Sequence, residues 1–265
     1  MSRHLLIILG ICALTFLTGL GRPALTDSDE AFYAESAREM IERGDFLTPY
    51  YNDEPRFEKP ILYYWLTAVS YTLAGVSEAA ARFPSALAGL GLTLLTFGYA
   101  RRLYDAATSL LAGMITATSF GYIAMAHQAL PDLPLAFFVT LTIWASIEGL
   151  LSWPDRELKG QATRRNRPWL LLAAIGAAGG LLIKGPVGLA LPLIVIAPIV
   201  TSECLTNRSR FTARRTDLVL ASLLFLLISI PWYLAMTVEH GVTYLDRFFV
   251  AENVERFATP RYNDP

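Results

Sequence analysis

Cysteine and histidine are scarce in this 265-residue chain, with two and three copies. Charge is scarce too, at 17% of residues. Cys12 lies in an apolar run and Cys204 in a basic segment, so neither a disulfide framework nor a thiolate zinc spacing can be drawn, and redox chemistry goes with them. A net charge of −1 gives no basic surface for nucleic acid, and none is expected as a partner. No internal duplication is visible, which argues against a transporter or lipid flippase built from paired half-repeats. What is abundant is apolar surface: 54% of residues are hydrophobic and the mean hydropathy is positive. Such a chain belongs with polytopic membrane proteins.

A helix needs roughly 20 apolar residues to cross a bilayer, with about 17 as a short limit. Runs of that kind are expected to span at 5–21, 83–100, 107–127, 133–151, 169–184, 186–201 and 218–238. The first resembles a secretory signal, with Arg3 and His4 ahead of an apolar core, but it has no small-residue cleavage site and reaches membrane length, so it reads as an uncleaved span. The run from Ile61 to Gly75 decides the topology. If it does not cross, Arg101/Arg102, the loop with Arg156, Lys159, Arg164, Arg165 and Arg167, and the loop with Arg208, Arg210, Arg214 and Arg215 all share a side with Arg3. The positive-inside rule makes that side the cytoplasm. The expectation is therefore seven spans, with 61–75 as a juxtamembrane helix. The organisation reads as a first periplasmic loop over 22–82, a bundle over 83–238 and the start of a periplasmic segment over 239–265.

With this topology Asp29, Glu30, Glu58, Lys59, Asp132, Lys184 and Glu252 all fall at the outer membrane face. Ionisable groups that share a depth and a side call for a functional hypothesis. The stretch 27–60 is the densest part. Asp27 and Glu30 resemble a capping box, and residues 28–43 suit an amphipathic helix with Phe32, Tyr33, Ala37, Met40 and Ile41 near one face and Gly44 as its stop. Asp29 and Glu30 can complement the dipole of that helix. Alternatively, one of them faces a cavity as a general base or acceptor-holding group. The sequence does not choose between the two acids. Lys59, ahead of Pro60 and Tyr63-Tyr64-Trp65, can snorkel to water or bind a lipid phosphate, and Arg256 offers a second cation. Asp132 between Pro131 and Pro134 suits a turn as well as a site, and Lys184 before Gly185-Pro186 suits a helix cap as well as a ligand.

The string DSDEAFYAESAREMIERGDFLTPYYNDEPRFEKP followed by ILYYWL, then ALPD at 129–132, IKGPVG at 183–188, PWY at 231–233 and FFVAENVERF at 248–257, resembles membrane glycosyltransferases that use polyprenyl-phosphate sugars. These are the bacterial relatives of protein O-mannosyltransferases, and the likeness is most specific to the aminoarabinose transferase group acting on lipid A. The resemblance implies an all-α GT-C type bundle with periplasmic juxtamembrane helices, in a bacterial inner membrane, with its active site facing the periplasm. It implies an undecaprenyl-phosphate sugar as donor, lipid A or a protein or glycan as acceptor, and inverting displacement of the lipid phosphate. Carried over by motif, Asp29 and Asp132 are the catalytic carboxylates, with Glu30 a weaker candidate. Lys59 and Arg256 are the lipid-phosphate ligands, Lys184, Tyr33 and Glu252 further substrate-binding candidates, and Glu58 a ligand of a divalent metal such as Zn, Mg or Mn.

Members of that family run to about twice this length, so the chain is expected to be an N-terminal half with an incomplete metal site. His127 and His240 read as ordinary interfacial residues. A subunit that binds polyprenyl phosphate without transferring anything is the alternative from another class.

Overall fold

The computed structural model describes residues 3–25, 28–151, 166–206 and 213–255. Its helices are α1 (Arg3–Cys12, continued by a π-type turn Ala13–Leu17), α2 (Ser28–Arg43), α3 (Leu62–Ala74), α4 (Glu78–Leu103), α5 (Ala106–Thr118), α6 (Phe120–Ala126), α7 (Asp132–Leu150), α8 (Arg167–Lys184), α9 (Val187–Thr206) and α10 (Arg215–Leu245), followed by a π-type turn Asp246–Glu255. By length and composition α4, α7, α8 and α10 can cross a membrane, and α5 with α6, bent by 54° around Ser119, makes a fifth crossing if counted as one. The expected spans at 5–21 and 186–201 fall on shorter apolar helices, Arg3–Leu17 and Val187–Glu203, so these criteria give four or five crossings where seven were expected. Helix α4 starts well before the expected residue 83, because Ser77 caps it by accepting from the Ala80 N–H and because the charge of Arg82 inside it is neutralised by Glu30.

The two ends of the bundle are held by different ionic contacts. At one end Arg102 pairs with the fully buried Glu148, and Arg167 Nε lies 2.7 Å from Asp217 Oδ1. The basic ends of α4, α8 and α10 therefore share one face, as charge placement required. At the other end Lys184 Nζ meets Asp132 Oδ1 at 2.5 Å, joining the ALPD and IKGP motifs. Local geometry arranges this meeting. Gly185 turns the chain at φ +70°, Pro186 follows, and α9 returns so close to α8 that a Cβ on Gly188 would lie 2.1 Å from the Gly180 carbonyl oxygen.

Helices α2 and α3 lie at the Asp132 end. Both ends of α3 stay there: Tyr63 near its start shares a hydrogen bond with Ser85 Oγ at 3.1 Å, and Tyr71 near its end packs with Ala34 and Ala37 of α2. At 13 residues it is about 20 Å long, too short to cross. The expected stops hold, with Gly44 and Gly75 at φ +67° and +80°. Of the expected apolar face of α2, Tyr33, Ala37 and Met40 are buried. Asp27, half of the expected capping box, lies outside the described residues. Its partner Glu30 faces Arg82 instead of the helix start.

Between α2 and α3 the chain forms a small hairpin, Tyr50–Tyr51 against Glu54–Pro55, turned by Asn52 and Asp53 with positive φ. The buried Glu39 carboxylate accepts from the N–H groups of Asn52 at 2.7 Å and Asp53 at 3.3 Å, which ties the hairpin to α2. Trp65 Nε1 donates to Phe46 O at 2.7 Å and Trp232 Nε1 to Leu47 O at 3.0 Å, fixing the preceding loop between α3 and α10. A core of Tyr33, Met40, Phe57, Tyr63, Tyr64, Leu182, Trp232 and Tyr244 then joins α2, α3, α8 and α10 beneath the polar residues.

Candidate functional site

Tyr33 is the centre of the polar cluster. It is buried in α2, with its ring 5.2 Å from Tyr63 and 5.4 Å from Tyr64. Burial pushes its phenol well above the ordinary value, Tyr64 adds to the rise, Arg56 opposes it, and Asp132 and Asp29 add further. Those four groups come from the hairpin exit, the starts of α2 and α7, and α3. They were scattered along the sequence and are neighbours here. Burial likewise raises Tyr64, again with Arg56 opposing.

Adjacent acids in the sequence part company in the fold. Asp29 is exposed in the first turn of α2, on the side of Tyr33 and Asp132. Glu30 points the other way and is 3% exposed. Its carboxylate receives Arg82 Nε at 3.0 Å, Arg82 Nη2 at 3.2 Å and the Ala129 N–H at 2.7 Å. Arg82 also donates to the carbonyls of Leu20, Pro23 and Ala24. With both carboxylate oxygens bonded and the side chain buried, Glu30 ties α2 to α4.

The cations stand at the rim. Lys59 Nζ lies 3.4 Å from Glu252 Oε2 and donates to the Glu58 carbonyl at 3.2 Å, with both side chains mostly buried. Lys184 and Asp132 remain 30% and 45% exposed, so their pair faces open space. Arg256 lies outside the described residues.

Arg56 is a further member of the cluster. Its guanidinium sits over the Phe32 ring, 4.2 Å from the centroid, and its Nε is 2.8 Å from Glu58 Oε2, a close ion pair off the hydrogen-bonding direction. Its only signal in the sequence is its place two residues ahead of Glu58. Glu58, expected as a metal ligand, is thus engaged by a cation, and among the described residues no three His, Cys, Asp or Glu side chains gather as a metal site. The histidines make structural contacts: His240 Nε2 meets Thr48 Oγ1 at 2.8 Å, and His127 bridges the carbonyls of Ile123 and Thr18.

Chemically, the arrangement offers cations that can meet a leaving phosphate and carboxylates, Asp29 and Asp132, that can orient a nucleophile. Below it an apolar cavity of about 350 Å³ opens between α3, α4 and α7, lined by Leu66, Leu87, Gly91 and Phe137 among others.

The family model for dolichyl-phosphate-mannose-protein mannosyltransferases matches residues 22–242. A protein of Aquifex aeolicus is 34% identical over 97% of this chain and 48% of its own length. The undecaprenyl phosphate-alpha-4-amino-4-deoxy-L-arabinose arabinosyl transferase of Edwardsiella ictaluri is 30% identical over 92% of this chain and 42% of its own length. The crystal structure of ArnT from Cupriavidus metallidurans bound to undecaprenyl phosphate superposes with a TM-score of 0.80 at 28% identity, covering 95% of this chain and 44% of that one. The Saccharomyces cerevisiae Pmt1-Pmt2 complex bound to its sugar donor, at 17% identity and a TM-score of 0.62 over 95% of this chain and 34% of that one, shares the fold alone. The chain spans about half the length of the curated relatives it matches.

Proposed function

The chain belongs to the dolichyl-phosphate-mannose-protein mannosyltransferase family and has the fold of the GT-C membrane glycosyltransferases, and from that premise we propose that it carries the donor-handling part of an aminoarabinose transferase. The reaction moves the sugar from undecaprenyl phosphate to lipid A, in a bacterial inner membrane with the site on the periplasmic face. The observation that carries this reading is the gathering of Asp29, Tyr33, Arg56 and Asp132, with Lys59 and Lys184 beside them, at one end of the bundle above an apolar cavity. A lipid with a charged head and a long apolar tail needs both.

In the step proposed, the acceptor oxygen attacks the anomeric carbon from the face opposite the lipid phosphate, and the bond to that phosphate breaks with inversion. Lys59 and Lys184 stabilise charge as it develops on the departing phosphate, for which each has only to leave a carboxylate partner, Glu252 or Asp132. The Tyr33 phenol, kept protonated by burial, can donate a hydrogen bond to the same oxygens. Asp29 orients the acceptor. An ionised phosphate acceptor needs no proton removed, whereas a hydroxyl acceptor would pass its proton to a carboxylate and show a rate that rises as that carboxylate ionises.

The test is transfer in nanodiscs from undecaprenyl-phosphate aminoarabinose to lipid A, read as the lipid A mass gaining one aminopentose. Transfer that falls by about 10²-fold on Lys59→Ala, with a weaker apparent affinity for the donor, is the expected result. An unchanged lipid A mass with folded wild-type protein would remove the acceptor, and normal donor saturation by the variant would return Lys59 to the role of a snorkelling side chain.

A further inference from the structure

A second cavity, with charged side chains in its lining, lies on the other side of α2. It measures about 450 Å³ and opens between α2, the hairpin tip, the end of α3 and the start of α4, with Glu35, Arg38, Tyr51, Asn52, Tyr71 and Glu78 in its lining. Glu35 stands two residues after Tyr33, about 200° around the helix, so this cavity and the Tyr33 cluster face different directions.

Tyr71 is the informative residue. It is 5% exposed and lines the cavity, and among the described residues its phenol makes no side-chain hydrogen bond, so the hydroxyl is open to a ligand there. Glu35 and Glu78 raise its pKa, after burial itself, and Arg38 lowers it, to about 12, so the hydroxyl ends among the charges that line the cavity. Arg38 is already claimed: Nε lies 3.0 Å from Glu35 and Nη1 2.8 Å from Glu42. Glu78, half-buried in the first turn of α4, makes neither an ion pair nor a side-chain hydrogen bond among the described residues. The cavity therefore presents an unclaimed carboxylate, an unclaimed phenol, an amide and a tyrosine ring, with acids in excess of bases. Such a lining repels phosphate and suits a ligand with hydroxyl groups and one positive charge.

We propose that this cavity binds an amino sugar, its ammonium on Glu78, a hydroxyl on Tyr71 and its ring against Tyr51. The site is separate from the donor cluster, and the proposal stands whether or not the donor reading does.

D-Glucosamine and D-glucose serve as probes, titrated at mildly acidic pH into the protein in nanodiscs and followed by saturation-transfer NMR. Glucosamine is expected to bind about tenfold more tightly than glucose, Glu78→Gln to abolish that difference, and Tyr71→Phe to weaken both sugars, with undecaprenyl phosphate binding unchanged in each variant. Absence of binding, equal affinity for the two sugars, or a preference that survives Glu78→Gln would overturn the proposal. So would displacement of glucosamine by undecaprenyl phosphate, which would assign the signal to the donor cluster. Should Tyr71→Phe fail to fold, the partly exposed Glu78 position still decides.

Discussion

Two ion pairs at the same end of the bundle join acid and base across an equal gap in sequence, and they behave in opposite ways. Arg82 and Glu30 are 2% and 4% exposed, and every polar atom of the pair has a protein partner. Lys184 and Asp132 are 30% and 45% exposed and hold one another at the mouth of the site. The first pair is closed to any ligand and locks α2 onto α4. The second can be opened by an anion that outcompetes Asp132 or a cation that outcompetes Lys184. Burial and the number of partners, more than charge itself, separate architecture from chemistry at this end of the molecule.

The comparison breaks most visibly at Arg82. Arg82→Met leaves Glu30 buried without its cation and should cost about 3–5 kcal/mol, read as a collapse in thermal stability in detergent; pairing it with Glu30→Leu should restore much of the loss. A single variant that melts like the wild type would show that the pair is not what locks α2. Next comes Asp29→Asn, on the open side of the same helix turn, which is expected to abolish sugar transfer while leaving the melting temperature within experimental scatter. Transfer at the wild-type rate would reduce Asp29 to a dipole-complementing acid. Lys184→Ala should move stability by no more than about 1 kcal/mol, as half-exposed pairs do, and lower transfer about 10²-fold. A large stability loss there would erase the distinction drawn between the two pairs. The smallest effect belongs to Asp53, 91% exposed beside Arg43 at the hairpin tip, where Asp53→Asn should change neither melting nor transfer measurably.

Much of the fold was legible because bilayers impose length and hydropathy on whole segments. The apolar runs, the shared face of Arg102, Arg167 and Arg215, and the failure of 61–75 to cross all follow from that constraint. Glycine stops at 44 and 75 were readable for a local reason, since few other residues tolerate the left-handed turn. The number of crossings was less so, because α1 and α9 are apolar along their length but short as helices. In the candidate site, Asp29, Tyr33, Asp132 and Lys184 are legible from the sequence motifs, whereas Arg56 is not, and neither is Arg82 in the buried pair. Nothing local in the sequence distinguishes either residue from a solvated charge.

Sequence alone determined the class of the molecule, the side on which its charges gather and the motifs that tie it to its family, since each depends on composition or on residues near one another in the chain. Tertiary structure decided which of the two neighbouring acids is buried in an ion pair and which stays exposed beside Tyr33. Successive side chains on a helix diverge by about 100°, so Asp29 and Glu30 had to face different surroundings, and only the fold could say which of them would meet Arg82, 52 residues away.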